Sequence, residues 1–366
     1  MAGGLRLAFV LWTGALGGAE QFTAALANEM TIAEVEPTVV FLGPHRPLST
    51  SLEMHGIPYR TLGLARGSHV LRHPRRFARL VGASGSDGAI LDSSGYVAAA
   101  LRTGGYRGLV VSVEHGVLVQ TPTLSRWKRV VRSSDQTMCS WAPDIGVAVS
   151  DFVLSALLTH SHPRRVTRIH NGIDLRVFRP APRPTSSSEN VFSIGWAGRM
   201  VPGKGVSELL RAVSILLREV PVEVRLAGDG PDRGALEDLA EHLGLAPHVF
   251  FAGTSLDVTP FWAECDVGAF PTNQWIESFG LAAVEAMACG RPVVASRSGG
   301  LEEVVNDGRT GILVEPGDIE GLAAALKRYA LDASLRDKHG REAREDCERR
   351  FDIKETAAHY LALFES

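Results

Sequence analysis

Glu277-Ser278-Phe279-Gly280-Leu281-Ala282-Ala283-Val284-Glu285, followed by Ala286-Met287-Ala288-Cys289-Gly290, organises the reading of the whole chain. From Leu281 onward the residues are apolar helix formers with one carboxylate among them, and Gly290 and Pro292 act as stop signals. Ser278 is the expected N-cap, which leaves the N–H groups of Phe279, Gly280 and Leu281 unpaired in the first turn. A small residue there lets a ligand approach the backbone. Glu277 then stands at the mouth of the helix and Glu285 two turns deeper, about 12 Å along the axis. Carboxylates that far apart cannot act on one atom. They suit the two ends of an elongated, hydroxyl-rich molecule whose negative middle lies at the helix N-terminus. A nucleotide-sugar has that shape, with a hexose and a ribose joined by a diphosphate. The plain alternative is an electrostatic cap at Glu277 and a solvated Glu285. The glycine-bearing turn between them, and the strand-like Pro292-Val293-Val294-Ala295-Ser296 beyond, favour the ligand.

Around this stretch, short apolar runs alternate with helix-like segments. Phe192–Ala197, Glu223–Ala227, Val249–Ala252, Val267–Pro271, Pro292–Ser296 and Gly311–Val314 read as strands. An earlier series repeats the rhythm: Leu7–Leu11, Thr38–Leu42, Gly88–Asp92, Leu109–Glu114 and Ile145–Ser150. Such alternation predicts two α/β units, each with a parallel, doubly wound sheet. A proline-rich then serine-rich stretch, Arg179 to Ser188, reads as the linker between them. The expected division is an N-terminal domain over 1–178, a linker over 179–190, a second domain over 191–348 and a C-terminal segment over 349–366, its helix near Ile353–Phe364.

At 366 residues the chain is comfortable for two domains with separate cores. No run reaches transmembrane length, and Leu5–Leu11 reads as a first strand because a glycine-rich turn follows where a cleavage site would be needed. The four cysteines, Cys139, Cys265, Cys289 and Cys347, are far apart, which argues against a disulfide framework or zinc site and suits a cytoplasmic protein. The net charge of −3 is unevenly shared: residues 1–170 hold 17 Lys/Arg against 11 Asp/Glu, and the remainder 21 against 30. The basic first half points to an anionic partner. Two basic tracts lie there, Arg66 to Arg79 (with Arg72, Arg75 and Arg76) and Leu124 to Arg132. If helical, the second puts Leu124, Trp127, Val130 and Val131 on one face and Arg126, Lys128, Arg129 and Arg132 around the rest. That pattern fits peripheral contact with an anionic membrane surface. It fits equally a surface helix with solvated arginines.

Several strand-to-helix turns carry chemistry. Gly198-Arg199-Met200-Val201-Pro202-Gly203-Lys204-Gly205 has most of a P-loop, but position 205 is glycine where magnesium needs a hydroxyl, so the ATPase reading fails. The turn still brings Arg199 and Lys204 to one anion, Arg as a bidentate donor and Lys as a point charge. Gly14-Ala15-Leu16-Gly17-Gly18-Ala19-Glu20 is a poor dinucleotide fingerprint, yet it exposes backbone N–H groups. His115 follows the strand Leu109–Glu114, at the edge where open α/β sheets bind ligands. Gly253-Thr254-Ser255-Leu256 occupies the same edge after another strand. Asn171-Gly172 and Gly228-Asp229-Gly230-Pro231 read as structural turns.

Glu277 to Glu285 with Ala286-Met287-Ala288, Gly290, Pro292–Ser296, Gly299-Gly300 and Glu303 resembles the signature of family 4 retaining glycosyltransferases. The resemblance spans nearly the whole chain and is densest from Asn171 to Pro316. It implies the GT-B fold, two Rossmann-like domains facing across a cleft with the C-terminal helix crossing back to the first. It also implies a sugar moved from a nucleotide-diphosphate sugar to a hydroxyl acceptor with retention of configuration. In the family pattern Glu277, Ser278 and the amides of Phe279, Gly280 and Leu281 orient the donor sugar, and Glu285 binds the ribose. Arg199 and Lys204 take the diphosphate, and His115 contacts the transferred sugar. Gly17 and Gly18 approach the diphosphate, and the backbone of Thr254, Ser255 and Leu256 meets the base. The metal-dependent enzymes of the other main fold carry a D-x-D pair, and this chain has none. No metal and no cofactor is therefore expected, and no nucleic-acid partner; the basic first half suits an acceptor that is anionic or lipid-linked, and a small soluble acceptor such as a natural-product aglycone fits as well.

Two rivals stay open. A nucleotide-sugar epimerase of the same fold needs further acid/base groups and turns over without acceptor. A non-catalytic nucleotide-sugar or glycan-binding protein has no need of intact Arg199, Lys204, Glu277 and Glu285.

Overall fold

The structure is a computed structural model that describes residues 4–15, 17–65, 67–83, 85–92, 95–116, 137–160, 164–182, 191–273 and 277–365. The basic segment around Trp127 and most of the Pro/Ser-rich linker lie outside these residues. The chain forms two compact units, Met1–Gly172 with Ile353–Ser366, and Ile173–Asp352.

Among the described residues the first unit holds seven strands: β1 Arg6–Leu11, β2 Glu36–Phe41, β3 Tyr59–Thr61, β4 Gly88–Asp92, β5 Leu109–Glu114, β6 Ile145–Ala148 and β7 Arg165–Arg168. They lie in the order β3-β2-β1-β4-β5-β6-β7, every neighbouring pair parallel. Leu7 to Leu11 are all buried, as a strand covered on both faces requires. One face carries Ala8, Val10, Val40, Leu91, Val97 and Phe77 in a single core cluster. Over another part of the sheet, the helix Gly18–Ile32 buries Phe22, Leu26 and Met30, each side chain contributing roughly 1.5–3 kcal/mol. The last helix, Ile353–Glu365, packs against Gly18–Ile32, so the chain's end returns to the first unit.

The second unit holds β8 Phe192–Ala197, β9 Val222–Ala227, β10 Val249–Gly253, β11 Val267–Phe270, β12 Val293–Ser296 and β13 Gly311–Val314. Their order is β10-β9-β8-β11-β12-β13, again all parallel. In both sheets the order reverses beside the first strand, between β1 and β4 and between β8 and β11. Open α/β sheets bind ligands outside the carboxyl ends of the strands at such points. Among the described residues no helix is long and apolar enough to cross a membrane.

The expected strands are present within two residues at either end. Two were missed, β3 and β7, both at the outer edge of the first sheet and neither with a buried residue. Tyr-Arg-Thr and Arg-Val-Thr-Arg offer no apolar run because an edge strand need not bury both faces.

Candidate active site

The loop after β8 is anchored at Met200, which is fully buried, receives a hydrogen bond from Asp232 N–H and donates one to Asp229 C=O. The neighbouring Arg199 is left exposed and makes no ion pair among the described residues. The loop closes on Gly205, in the left-handed region at φ 76°, as the N-cap of helix Val206–Leu216. A Cβ on Gly205 would lie 1.6 Å from the carbonyl oxygen of Pro271, just beyond β11. Position 205 is glycine, and not the hydroxyl residue of a P-loop, because the backbones of two loops touch there. Asn273 fastens the same pair of loops, its N–H on the Gly203 carbonyl at 3.1 Å and its side-chain amide on Glu208.

That closure brings Lys204 to Glu277. Their side chains form an ion pair, each 19% exposed. In the sequence they stand 73 residues apart. The expectation for Ser278 needs correcting. Helix Leu281–Ala288 is capped by Gly280 at φ 100°, with no side-chain cap, so it begins later than a Ser278 cap predicts. The chain turns at Gly280 through the left-handed region, which side-chain-bearing residues rarely adopt, and a Cβ there would also sit 2.6 Å from the Leu301 side chain. Glu277 consequently precedes the helix, held by its carbonyl's bond from Gly300 N–H at 2.7 Å, and the separation reckoned along one helix axis does not apply. Among the described residues the N–H groups of Gly280 and Leu281 have no acceptor, as expected of a first turn. Phe279 is buried, edge-on to Phe351 at 5.6 Å.

Glu285 is 8% exposed, and its carboxylate makes no hydrogen bond among the described residues. Burial pushes its pKa up to about 7, opposed only by the Trp262 indole. The Trp262 Nε1 nonetheless lacks hydrogen-bond geometry to any acceptor, so the carboxylate is an acceptor in want of donors. Thr254, Ser255 and Leu256 are exposed just past β10, the outer strand of the sheet, two strands from β8. The Ser255 hydroxyl is taken up by the Asp257 backbone.

In the first unit Gly17 caps helix Gly18–Ile32 in an extended conformation. A Cβ on Gly17 would meet the Glu20 carboxylate at 2.3 Å, so an acidic side chain folds over the turn expected to receive an anion. His115 stands just after β5, its ring edge-on to Phe22 at 5.7 Å between centroids. Its Nε2 lies 3.7 Å from Oδ1 of Asp92, the last residue of β4. Burial lowers the His115 pKa to about 4 and raises that of Asp92 to about 7. Asp92 was missed in the sequence, although it ends a strand at the carboxyl edge, next to β1, and that position was the available signal. Among the described residues no cluster of His, Cys, Asp or Glu has a metal-holding arrangement.

Two Rossmann-type sheets, with a cation-rich turn after the first strand of the second sheet, define the GT-B class. Solved structures carry the same fold. An Anabaena protein, Alr3699/HepE, in complex with UDP and glucose aligns with TM-score 0.85 at 23% identity, covering 99% of this chain and 100% of that one. Sucrose-phosphate synthase from Thermosynechococcus elongatus aligns with TM-score 0.80 at 20% identity, covering 99% and 98%. A model described as Glycosyltransferase Family 4 matches residues 16–177, and one described as Glycosyl transferases group 1 matches 191–332. The chain belongs to the family 4 glycosyltransferases. Among relatives, a D-inositol 3-phosphate glycosyltransferase from Nocardioides sp. is 36% identical over 61% of this chain and 54% of its own length. A GDP-mannose-dependent phosphatidylinositol monomannoside mannosyltransferase from Mycolicibacterium smegmatis is 35% identical over 48% of each. The chain spans about half the length of the relatives it matches.

Proposed function

We propose that this protein transfers a sugar from a nucleotide-diphosphate sugar to a hydroxyl acceptor, with retention of configuration and without a metal. The observation that carries the reading is the meeting of Lys204 and Glu277 at the switch point of the second sheet, with Arg199 exposed beside them. In the resting protein each neutralises the other. A donor diphosphate takes Lys204 and Arg199 through charge-assisted bonds and frees Glu277 for the sugar hydroxyls. The N–H groups of Gly280 and Leu281, with Ser278 and Phe279 beside them, bind at the same place. Glu285 receives the ribose hydroxyls, which supply the donors its buried carboxylate lacks. Gly17, Gly18, Thr254, Ser255 and Leu256 keep the donor contacts that the family pattern implies. The bond from the sugar's anomeric carbon to the diphosphate breaks, and a bond to the acceptor oxygen forms on the same face. The departing phosphate oxygen takes the acceptor's proton, and the two cations stabilise its charge.

For the acceptor, the relatives' names suggest an inositol phosphate or a phosphatidylinositol glycolipid. Arg72, Arg75, Arg76 and Arg79 are exposed around helix Pro74–Gly82, beside Leu71 at 41% exposure. They give the first unit a cationic surface for such an acceptor or for the anionic membrane face that carries it. Thermal shift with UDP-, GDP-, ADP- and dTDP-sugars should single out one base by a raised melting temperature. With that donor, transfer to inositol 3-phosphate should proceed unchanged in EDTA. No shift with any donor overturns the reading. Donor turnover without acceptor makes the protein an epimerase, and activity restored to an EDTA-treated enzyme only by magnesium or manganese overturns the metal-free account.

A further inference from the structure

His115, Asp92, Phe22 and Tyr360 meet inside the first unit, on four different elements: the end of β5, the end of β4, the helix after β1 and the C-terminal helix. Two polar atoms there are buried without a hydrogen bond, Nε2 of His115 and the hydroxyl of Tyr360. Native interiors rarely leave such atoms unpaired except where they serve a purpose. The His115 and Asp92 side chains keep only 13% and 14% exposure. Because Nε2 is fully buried, the exposed part of the ring is elsewhere. Nε2 faces Asp92 across 3.7 Å, within ion-pair range and longer than a formed N–H···O bond. Such bonds commonly tighten only when the ligand arrives.

We propose that Asp92 is the positioning residue of His115: it accepts the Nε2–H, fixes that tautomer, and leaves Nδ1 as a bare acceptor for a hydroxyl of the bound sugar. The inference rests on the glycosyl-transfer reading above for the identity of that hydroxyl, but the tautomer stands on geometry alone. A neutral imidazole has one donor and one acceptor nitrogen, and the partner of one decides the role of the other. Once Asp92 is ionised, above its pKa of about 7, its carboxylate can only be satisfied by a donor at Nε2, so the pattern is read at pH 8 or above. His115 stays neutral at working pH because burial holds its pKa near 4. Phe22 closes one side of the ring at 5.7 Å and stands 6.5 Å from Tyr360, so Asp92 is the ionisable partner in ion-pair range of Nε2 among the described residues.

The test is the protonation pattern of the His115 ring in the unliganded protein, read by nitrogen NMR of histidine-labelled material. The chain has 12 histidines, and His115→Gln assigns the signal by its disappearance. The expected result is a proton on Nε2 and none on Nδ1 in the wild type, lost in Asp92→Leu. Asp92→Leu should also lower kcat about tenfold, the rate equivalent of one ordinary hydrogen bond. A proton on Nδ1 in the wild type overturns the proposal even if the leucine variant fails to fold. An unchanged pattern or an unchanged kcat in Asp92→Leu overturns it as well. Absence of any transfer by the wild type sinks the glycosyl-transfer reading instead and leaves the tautomer result standing, so the two failures are told apart.

Discussion

Between β8 and β11 the side chains are charged and half-open to water: Lys204 and Glu277 paired, Arg199 unpaired and exposed. At the matching edge of the first sheet, Asp92 and His115 are mostly buried, with Tyr360 and Phe22 closing them in. The order of the first six strands is the same in both, so topology alone does not set the chemistry. What differs is the loop after the first strand. In the second sheet that loop presents cations. In the first it presents a glycine turn overlaid by Glu20. An anion has charge to meet at one edge, and a neutral hydroxyl has a dry acceptor to meet at the other.

The strongest way to break this contrast is to remove a cation. Lys204→Ala and Arg199→Ala should each lower kcat by about 100- to 1,000-fold, the usual cost of losing one preorganised contact to a developing charge. Initial rates at saturating donor measure it. Activity within twofold of wild type in both variants would show that the charged edge does not hold the diphosphate.

Glu285 crosses the contrast, because it is a buried carboxylate in the charged unit. Its folded pKa, about 7, lies above its ordinary value of 4.5. A raised carboxylate pKa means that the folded state holds the proton more tightly. Stability is therefore lost as pH rises from 4.5 to 7 and stays lost above that range. Glu285→Gln should be more stable than wild type at pH 8 by on the order of 3 kcal/mol, the two converging below about pH 4. Donor binding should weaken about tenfold in the same variant, since Gln replaces a charged acceptor by a neutral one. Chemical denaturation across pH and donor titration read the two effects. A variant less stable than wild type at pH 8 would mean that the carboxylate has internal partners after all.

The difference between the two edges also explains what the sequence reveals. Lys204, Glu277 and Glu285 stand out because charges in glycine-bearing turns and in apolar helices are conspicuous. The alternation of apolar runs gave both sheets for the same reason, since their central strands are buried on both faces. The N-cap was misplaced because Ser278 has the better intrinsic preference, whereas the helix starts after the left-handed turn at Gly280, a conformation that glycine adopts without strain. Asp92 and Tyr360 escaped notice because each reads as an ordinary residue of its element. Their proximity to His115 comes from the pairing of β4 with β5 and the return of the last helix, which are tertiary facts. The Lys204–Glu277 pair was likewise invisible as a pair. It depends on Gly205 meeting Pro271 across two loops.

The smallest expected effect sharpens the description of the first edge as dry. Tyr360 is fully buried and its hydroxyl has no hydrogen-bond partner. Burial, and then the nearby Asp92 charge, push the phenol pKa above its usual range. A buried hydroxyl without a partner costs about 1–3 kcal/mol relative to water, so removing it should not destabilise the protein. Tyr360→Phe keeps the ring against Phe22, which lies 6.5 Å away, and deletes only the unsatisfied oxygen. The expected gain is under about 1 kcal/mol, because the small void left behind offsets part of it, which raises the melting temperature of the first unit by roughly 1–3 °C. The chain forms two compact units, so the transition is followed by a probe in the first. A loss of more than about 1 kcal/mol would give the hydroxyl an acceptor, with Asp92 the nearby candidate. The first edge would then be a hydrogen-bonded chain from the C-terminal helix to His115, and the contrast with the second edge would lie in the kind of wiring, no longer in its presence.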